Sequence, residues 1–174
     1  MSTERTTSER NWRSLALCGL WCALLAVSAS ACRATERFKD PPPELLARSA
    51  PLPVTISSEV RGINARTSVV GNKTKFRVGK LLQSLFVSND GRYFLSYVDD
   101  KIDLIRHDDA WRTEYTLVLA LQLEGTYHLI QSQRQADSGE SARASGREAI
   151  EACVEDVYQQ VSALISASSR GALR

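Results

Sequence analysis

The chain has 174 residues, 43% of them apolar and 24% charged, with 22 basic residues against 20 acidic ones. That length gives one domain with room for a tail, and the composition excludes both a disordered chain and a polytopic membrane protein. A formal charge of +2 gives no overall field to gather nucleic acid or to coat an anionic membrane.

The N-terminus carries the strongest pattern. Arg5, Arg10 and Arg13 precede an apolar run, Leu15–Val27, which is followed by Ser28, Ala29, Ser30, Ala31 and Cys32. Basic, then apolar, then small residues is the layout of a secretory signal, expected to be removed. A membrane-spanning helix needs roughly 20 apolar residues, which Leu15–Val27 does not reach. Ala29-Ser30-Ala31 suits cleavage after Ala31. The same stretch with Cys32 resembles a lipobox, the small-residue motif ending in the cysteine that becomes acylated in bacterial lipoproteins, although Ala29 stands where such boxes usually have Leu. Residues 33–50 are polar and hold Pro41-Pro42-Pro43, the composition of an extended spacer. The expected organisation is a signal peptide over 1–31, a lipidated Cys32 with its tether over 32–51, one domain over 52–168 and a tail over 169–174. Without the signal the chain has 19 cations against 18 carboxylates. Cys18 and Cys22 leave with the signal. Cys153 then stands alone if Cys32 is acylated, and could pair with it if not.

Within the domain, Val54, Ile56, Ser58 and Val60 alternate with polar residues and predict a strand. Residues 62–71 lack a period and read as loop. Val78, Leu81, Leu82, Leu85 and Phe86 form a helical stripe, with Asn72 or Thr74 as the expected N-cap. Gly79 inside that helix costs about 1 kcal/mol relative to Ala. Tyr93, Leu95 and Tyr97 predict a strand, Asp99-Asp100 a turn, and Ile102 and Leu104 a return strand. Tyr115, Leu117, Leu119, Leu121 and Leu123 alternate across residues 113–124 and predict the best strand of the chain, with one face that must be covered. Gly125 breaks it, and residues 126–133 continue as a further strand. Residues 135–146 read as a loop ending in a capping box, Ser145 to Glu148. Ile150, Val154, Val157, Val161 and Leu164 then mark a last helix. The expected fold is α+β, a two-layer sandwich in which two helices pack on one face of a mostly antiparallel or mixed sheet of four to five strands.

Chemistry is sparse. His107-Asp108-Asp109, near Asp99-Asp100, holds metal-ligating and acid–base residue types, but adjacent side chains diverge and Asp is favoured in turns. His128 reads as an edge residue and Cys153 as core. No Gly-x-Ser-x-Gly, Walker or His-Glu-x-x-His pattern is present. The expected catalytic, cofactor-binding and metal sets are therefore empty. Trp111 at a strand end is the candidate contact for a partner.

The strand from Thr113 to Glu124, the polar insert after it and the helix over 149–165 with Val157-Tyr158 resemble the C-terminal half of LptE-like lipopolysaccharide-assembly lipoproteins, and in outline the auxiliary lipoproteins of ABC-type transport systems. The short segment here between the first helix and the long strand departs from that pattern. The resemblance implies a lipid-anchored, periplasm-facing outer-membrane protein that acts without catalysis as a partner in envelope assembly or transport. The alternative is a secreted or periplasmic module that binds a small ligand or glycan. Either has a protein, lipid or small-molecule partner and no nucleic acid.

Overall fold

A computed structural model of the chain describes residues 43–87 and 91–171. Four helices are present among them: α1 (Pro43–Arg48), α2 (Ser58–Gly62), α3 (Val78–Leu85) and α4 (Ala142–Gly171). Six strands accompany them: β1 (Thr55–Ile56), β2 (Ala65–Val69), β3 (Asn72–Phe76), β4 (Tyr93–His107), β5 (Ala110–Leu123) and β6 (Thr126–Ser138). The main sheet has the order β1-β4-β5-β6, and β2 and β3 form a separate hairpin. β1 runs parallel to β4, and the other pairs are antiparallel, so the sheet is mixed. The α+β fold with helices packed on the sheet is as the sequence pattern predicts.

β5 organises the domain. Thr113, Tyr115, Leu117, Leu119, Leu121 and Leu123 all face inward and are buried, and the residues between them are not. Five large apolar side chains on one strand need a cover, because each contributes roughly 1.5–3 kcal/mol when removed from water. α4 supplies it through Ile150, Val154, Val157 and Val161, each fully buried. Phe76, Val78, Leu81, Leu82 and Leu85 join the same core.

Several boundaries differ from expectation, each for a local reason. Residues 54–60 do not stay extended. Ser57 Oγ accepts from the Val60 amide at 3.3 Å, an N-cap bond, and the chain turns into α2 after two residues of strand. The expected loop over 62–71 and the expected cap at Asn72 or Thr74 are instead the β2–β3 hairpin, with Val69 paired to Asn72. Val70 and Gly71 make its turn at φ 41° and 81°. A β-branched residue is a poor choice for a left-handed position, which hid this turn from sequence reasoning. α3 starts after Arg77, without a side-chain cap. Gly79 is where α3 meets α2, and a Cβ there would strike the carbonyl oxygens of Val60 and Arg61.

Asp99-Asp100 is not a turn. β4 runs through it as one strand of 15 residues. Its register against β5 slips between Tyr97 and Asp99, so Val98 and Asp99 together oppose Val118. The extra residue switches inward parity from Tyr93, Leu95 and Tyr97 to Asp100, Ile102 and Leu104. A bulge produces in one strand the parity change that two strands would show. β6 continues to Ser138 rather than stopping near Gln133, because its last residues pair with Trp111–Tyr115. The cap of α4 is Ser141, whose Oγ accepts from the Ala144 amide at 3.1 Å. Ser145 lies inside the first turns, buried, with its hydroxyl 2.7 Å from Thr113 Oγ1. α4 extends through Gly171, beyond the expected fraying point. α1 occupies part of the stretch expected as tether; its Leu45 is buried, and Tyr158 Oη donates to Ala50 O at 2.6 Å.

β6 is an edge strand, and α4 fences it. Gln160 Nε2 donates to the Gln131 carbonyl at 3.0 Å, and Arg134 Nη2 meets Asp156 Oδ1 at 2.6 Å. Both pairs tie the edge to the helix beside it.

Leu119 and Val157 sit in one core, and the expected cost of truncating a buried leucine is about 2–5 kcal/mol. Leu119→Ala lowers the chemical denaturation midpoint strongly, whereas Gln122→Ala, on the opposite face, changes it little. Equal effects of the two substitutions would contradict this assignment of inner and outer faces.

Candidate interaction surface

The candidate residues disperse. Cys32 lies outside the described residues. Trp111 is half-buried on the helix side of the sheet, paired across strands with Arg106, whose guanidinium carbon lies 5.6 Å from the ring centroid. Arg over an indole face is a favourable cation–π arrangement. His107 and Asp108 are both exposed at the β4–β5 turn, with Nδ1 3.1 Å from Oδ2. Asp108 adopts φ 51°, which Asp tolerates well. Among the described residues, no group of three or more His, Cys, Asp or Glu side chains is arranged to hold a metal ion. His128 is half-buried on β6 opposite Leu121.

Cys153 is a buried free thiol in the α4–sheet layer. Its Sγ lies 3.6 Å from the Ser132 carbonyl oxygen, and burial pushes its pKa up to about 11. That is the opposite of what a nucleophilic thiolate needs. Around it the inner face of the sheet turns polar. Tyr97 Oη donates to Asp100 Oδ1 at 2.8 Å, and burial followed by that carboxylate pushes Tyr97 up to about 12. Tyr115 Oη and Ser132 Oγ are buried without a hydrogen-bond partner among the described residues. Burial, then the nearby Asp100 charge, pushes the Tyr115 hydroxyl up as well.

The more distinctive feature is the other face of the sheet, on which the described residues place no helix. Pairing sets three rows there: Phe94, Gln122 and Tyr127; Ser96, Ala120 and Leu129; and Val98 with Asp99, Val118 and Gln131. Tyr127 is 66% exposed and Leu129 65%, with Phe94 and Val98 exposed beside them. Exposed apolar side chains are ordinary singly, whereas here several fall together at one end of a sheet, the kind of surface another molecule can cover. Farther along, the face becomes charged. Lys101 meets Asp103 at 2.6 Å, and Arg112 meets Asp137 at 2.8 Å. The Asp137 carboxyl is held below its ordinary value by the Arg112 hydrogen bond, and the Arg112 guanidinium is raised by the same bond. Both groups are open to solvent, so the pair adds little to stability. Gln133 Nε2 donates to Glu114 Oε1 across strands. Asp99, Asp103, Glu114 and Asp137 outnumber Lys101 and Arg112 on this face by two.

Sequence reasoning missed this surface because it followed only the Tyr115–Leu123 parity of β5, which left Val118 and Ala120 on the outward side. The available signal was that β5 is apolar on both parities in its second half, and that Tyr127 and Leu129 share outward parity on β6. A strand buried on one face alone should carry polar residues there.

Comparisons with protein-family models and with curated proteins give no match for this chain.

The polar inner row makes two unequal predictions. Tyr115→Phe removes a buried hydroxyl that has no hydrogen bond of ordinary geometry and only Asp100 near it, so it costs less than Tyr97→Phe, which breaks the 2.8 Å bond to Asp100 and destabilises the fold by about 1 kcal/mol. Tyr97 has a folded pKa above the unfolded value of 10.0. The folded state thus holds its proton more tightly, and the associated stability is complete below pH 10 and lost as pH rises through 12. Urea unfolding of wild type and Tyr97→Phe between pH 9 and 12 checks this: the variant shows the shallower alkaline decline.

Proposed function

We propose that this chain is a non-catalytic, lipid-anchored envelope protein that serves as a partner or adaptor in outer-membrane assembly or transport. The observation that carries the reading is the open sheet face, where Phe94, Val98, Tyr127 and Leu129 stand exposed around Val118 and Ala120. An adaptor works through a surface, and its energy is concentrated in a few apolar and aromatic side chains at the centre of that surface. The face provides such a group with a polar border toward its charged end, Gln131 and Gln133 first and then the Lys101–Asp103 and Arg112–Asp137 pairs, while Gln122 lies between Phe94 and Tyr127. The basic, apolar and small-residue order before Cys32, and the resemblance to LptE-like lipoproteins, add the anchor and the envelope location to this reading. One acyl chain alone holds a protein only marginally on a bilayer, so a modified cysteine carrying more than one chain is what stable anchoring requires.

Two measurements test it. Metabolic labelling with a fatty-acid probe marks wild type and not Cys32→Ser; label that survives the substitution removes the anchor. For the face, a photocrosslinker placed at Leu129 traps one envelope protein in intact cells, and Tyr127→Ser with Leu129→Ser loses complementation of a deletion strain at normal abundance. Trp111→Ala has the smaller effect, since its ring is half-buried under Arg106. His107→Ala with Asp109→Asn, in the exposed turn, still complements. Loss of function in that last pair, with the Tyr127 and Leu129 variants active, would replace the adaptor with an enzyme or metal site.

A further inference from the structure

The whole-chain charge of +2 averages over a segregation. Between Val60 and Val87 the sequence holds Arg61, Arg66, Lys73, Lys75, Arg77 and Lys80 and no carboxylate, leaving the rest of the chain with four more carboxylates than cations. All six cations are exposed, and none of their side chains forms an ion pair among the described residues. The β2–β3 hairpin concentrates them. Its inner side carries Ala65, Thr67 and Phe76, which are buried. Its outer side carries Arg66 directly opposite Lys75, and Ser68 directly opposite Lys73. Like charges facing each other across a pair of strands are destabilising, so this arrangement favours an anion lying over both. At the tip stands Val70, 95% exposed and at φ 41°. A β-branched residue in that conformation is strained, and Asn or Gly would relieve it. The strained position presents an apolar side chain to the outside, beyond the collar of cations.

We infer that the β2–β3 hairpin is a docking element for an anionic phospholipid bilayer, with Arg66, Lys73 and Lys75 on the headgroup phosphates and Val70 in the apolar boundary beneath them. An apolar tip inside a basic collar matches the layering of a bilayer surface, where anionic groups lie above hydrocarbon. Nucleic acid would use the same cations but would leave the exposed apolar tip at Val70 without a role, and no aromatic ring stands among them to stack a base, since Phe76 and Phe86 are buried. The inference goes beyond the adaptor reading and does not require acylation of Cys32, because the hairpin supplies its own contacts.

The test uses the chain reconstituted in nanodiscs, read by amide hydrogen exchange over residues 65–77. In discs containing 30% anionic phospholipid, exchange across the hairpin slows at least about tenfold relative to zwitterionic discs, while exchange in β5 stays the same. A cation near an anionic surface is worth about fivefold in partitioning, so replacing Arg66, Lys73 and Lys75 together by Ser removes roughly a hundredfold and abolishes the difference. Val70→Ser, on a wild-type collar, weakens it in part. Raising the salt to 0.5 M also suppresses it. Identical exchange in the two lipids overturns the inference, as does protection that appears with an oligonucleotide in zwitterionic discs and not with anionic lipid. Label at Cys32 is read separately, so failure of the anchor and failure of the hairpin are distinct results.

Discussion

Everything described in this domain depends on covering the inner face of β5. Tyr115 through Leu123 put five large apolar side chains on one side of one strand, and none of them is stable against water. α4 is long because that row is long: 30 residues at 1.5 Å each give roughly 45 Å, a match for a 14-residue strand. The polar contacts of the layer follow from the same registration. Thr113 meets Ser145 at one end, Cys153 and Gln160 reach the adjacent Ser132 and Gln131 carbonyls in the middle, and Ser168 Oγ donates to Glu124 Oε1 at the other end.

With the inner face committed to α4, the opposite face is the one left exposed. The sheet is a two-layer structure whose second side is apolar at the end near the β5–β6 turn and charged at the other. The charged half holds the Lys101–Asp103 and Arg112–Asp137 pairs with Asp99 and Glu114 in excess, so approach there displaces water from charged groups. The apolar half gains from any cover. This division places the exposed apolar area at Phe94, Tyr127 and Leu129. The basic hairpin lies apart from that face in composition, and the two surfaces suit different kinds of contact.

The long periodic elements were legible in the sequence, and the local switches were not. The β5 alternation and the helical stripe of Val154, Val157 and Val161 are summed signals over many residues, and tertiary packing agrees with them. Each miss involved one residue working against its usual preference. Val70 occupies a turn position suited to Asn or Gly, so a hairpin read as a loop. Val98 is an inserted residue in β4, so a bulge read as a turn between two strands. Ser145 fits a capping box but is taken by Thr113 in the interior, and Ser141 four residues earlier does the capping. The interaction surface was harder still. Parity showed which side of β5 is inside, but whether the other side has a cover depends on where every other element goes.

The fence along β6 determines how this sheet can be extended. A 13-residue edge with free carbonyls would invite a neighbouring chain to add a strand, and strands added this way propagate without limit. Gln160 occupies the Gln131 acceptor, and the Arg134–Asp156 pair stands beside it. Lateral growth is thereby obstructed at the middle of the edge, while the outer face stays open. An exposed apolar surface therefore coexists with an obstructed edge: growth strand by strand is hindered, while the area that stays open is a face of limited extent.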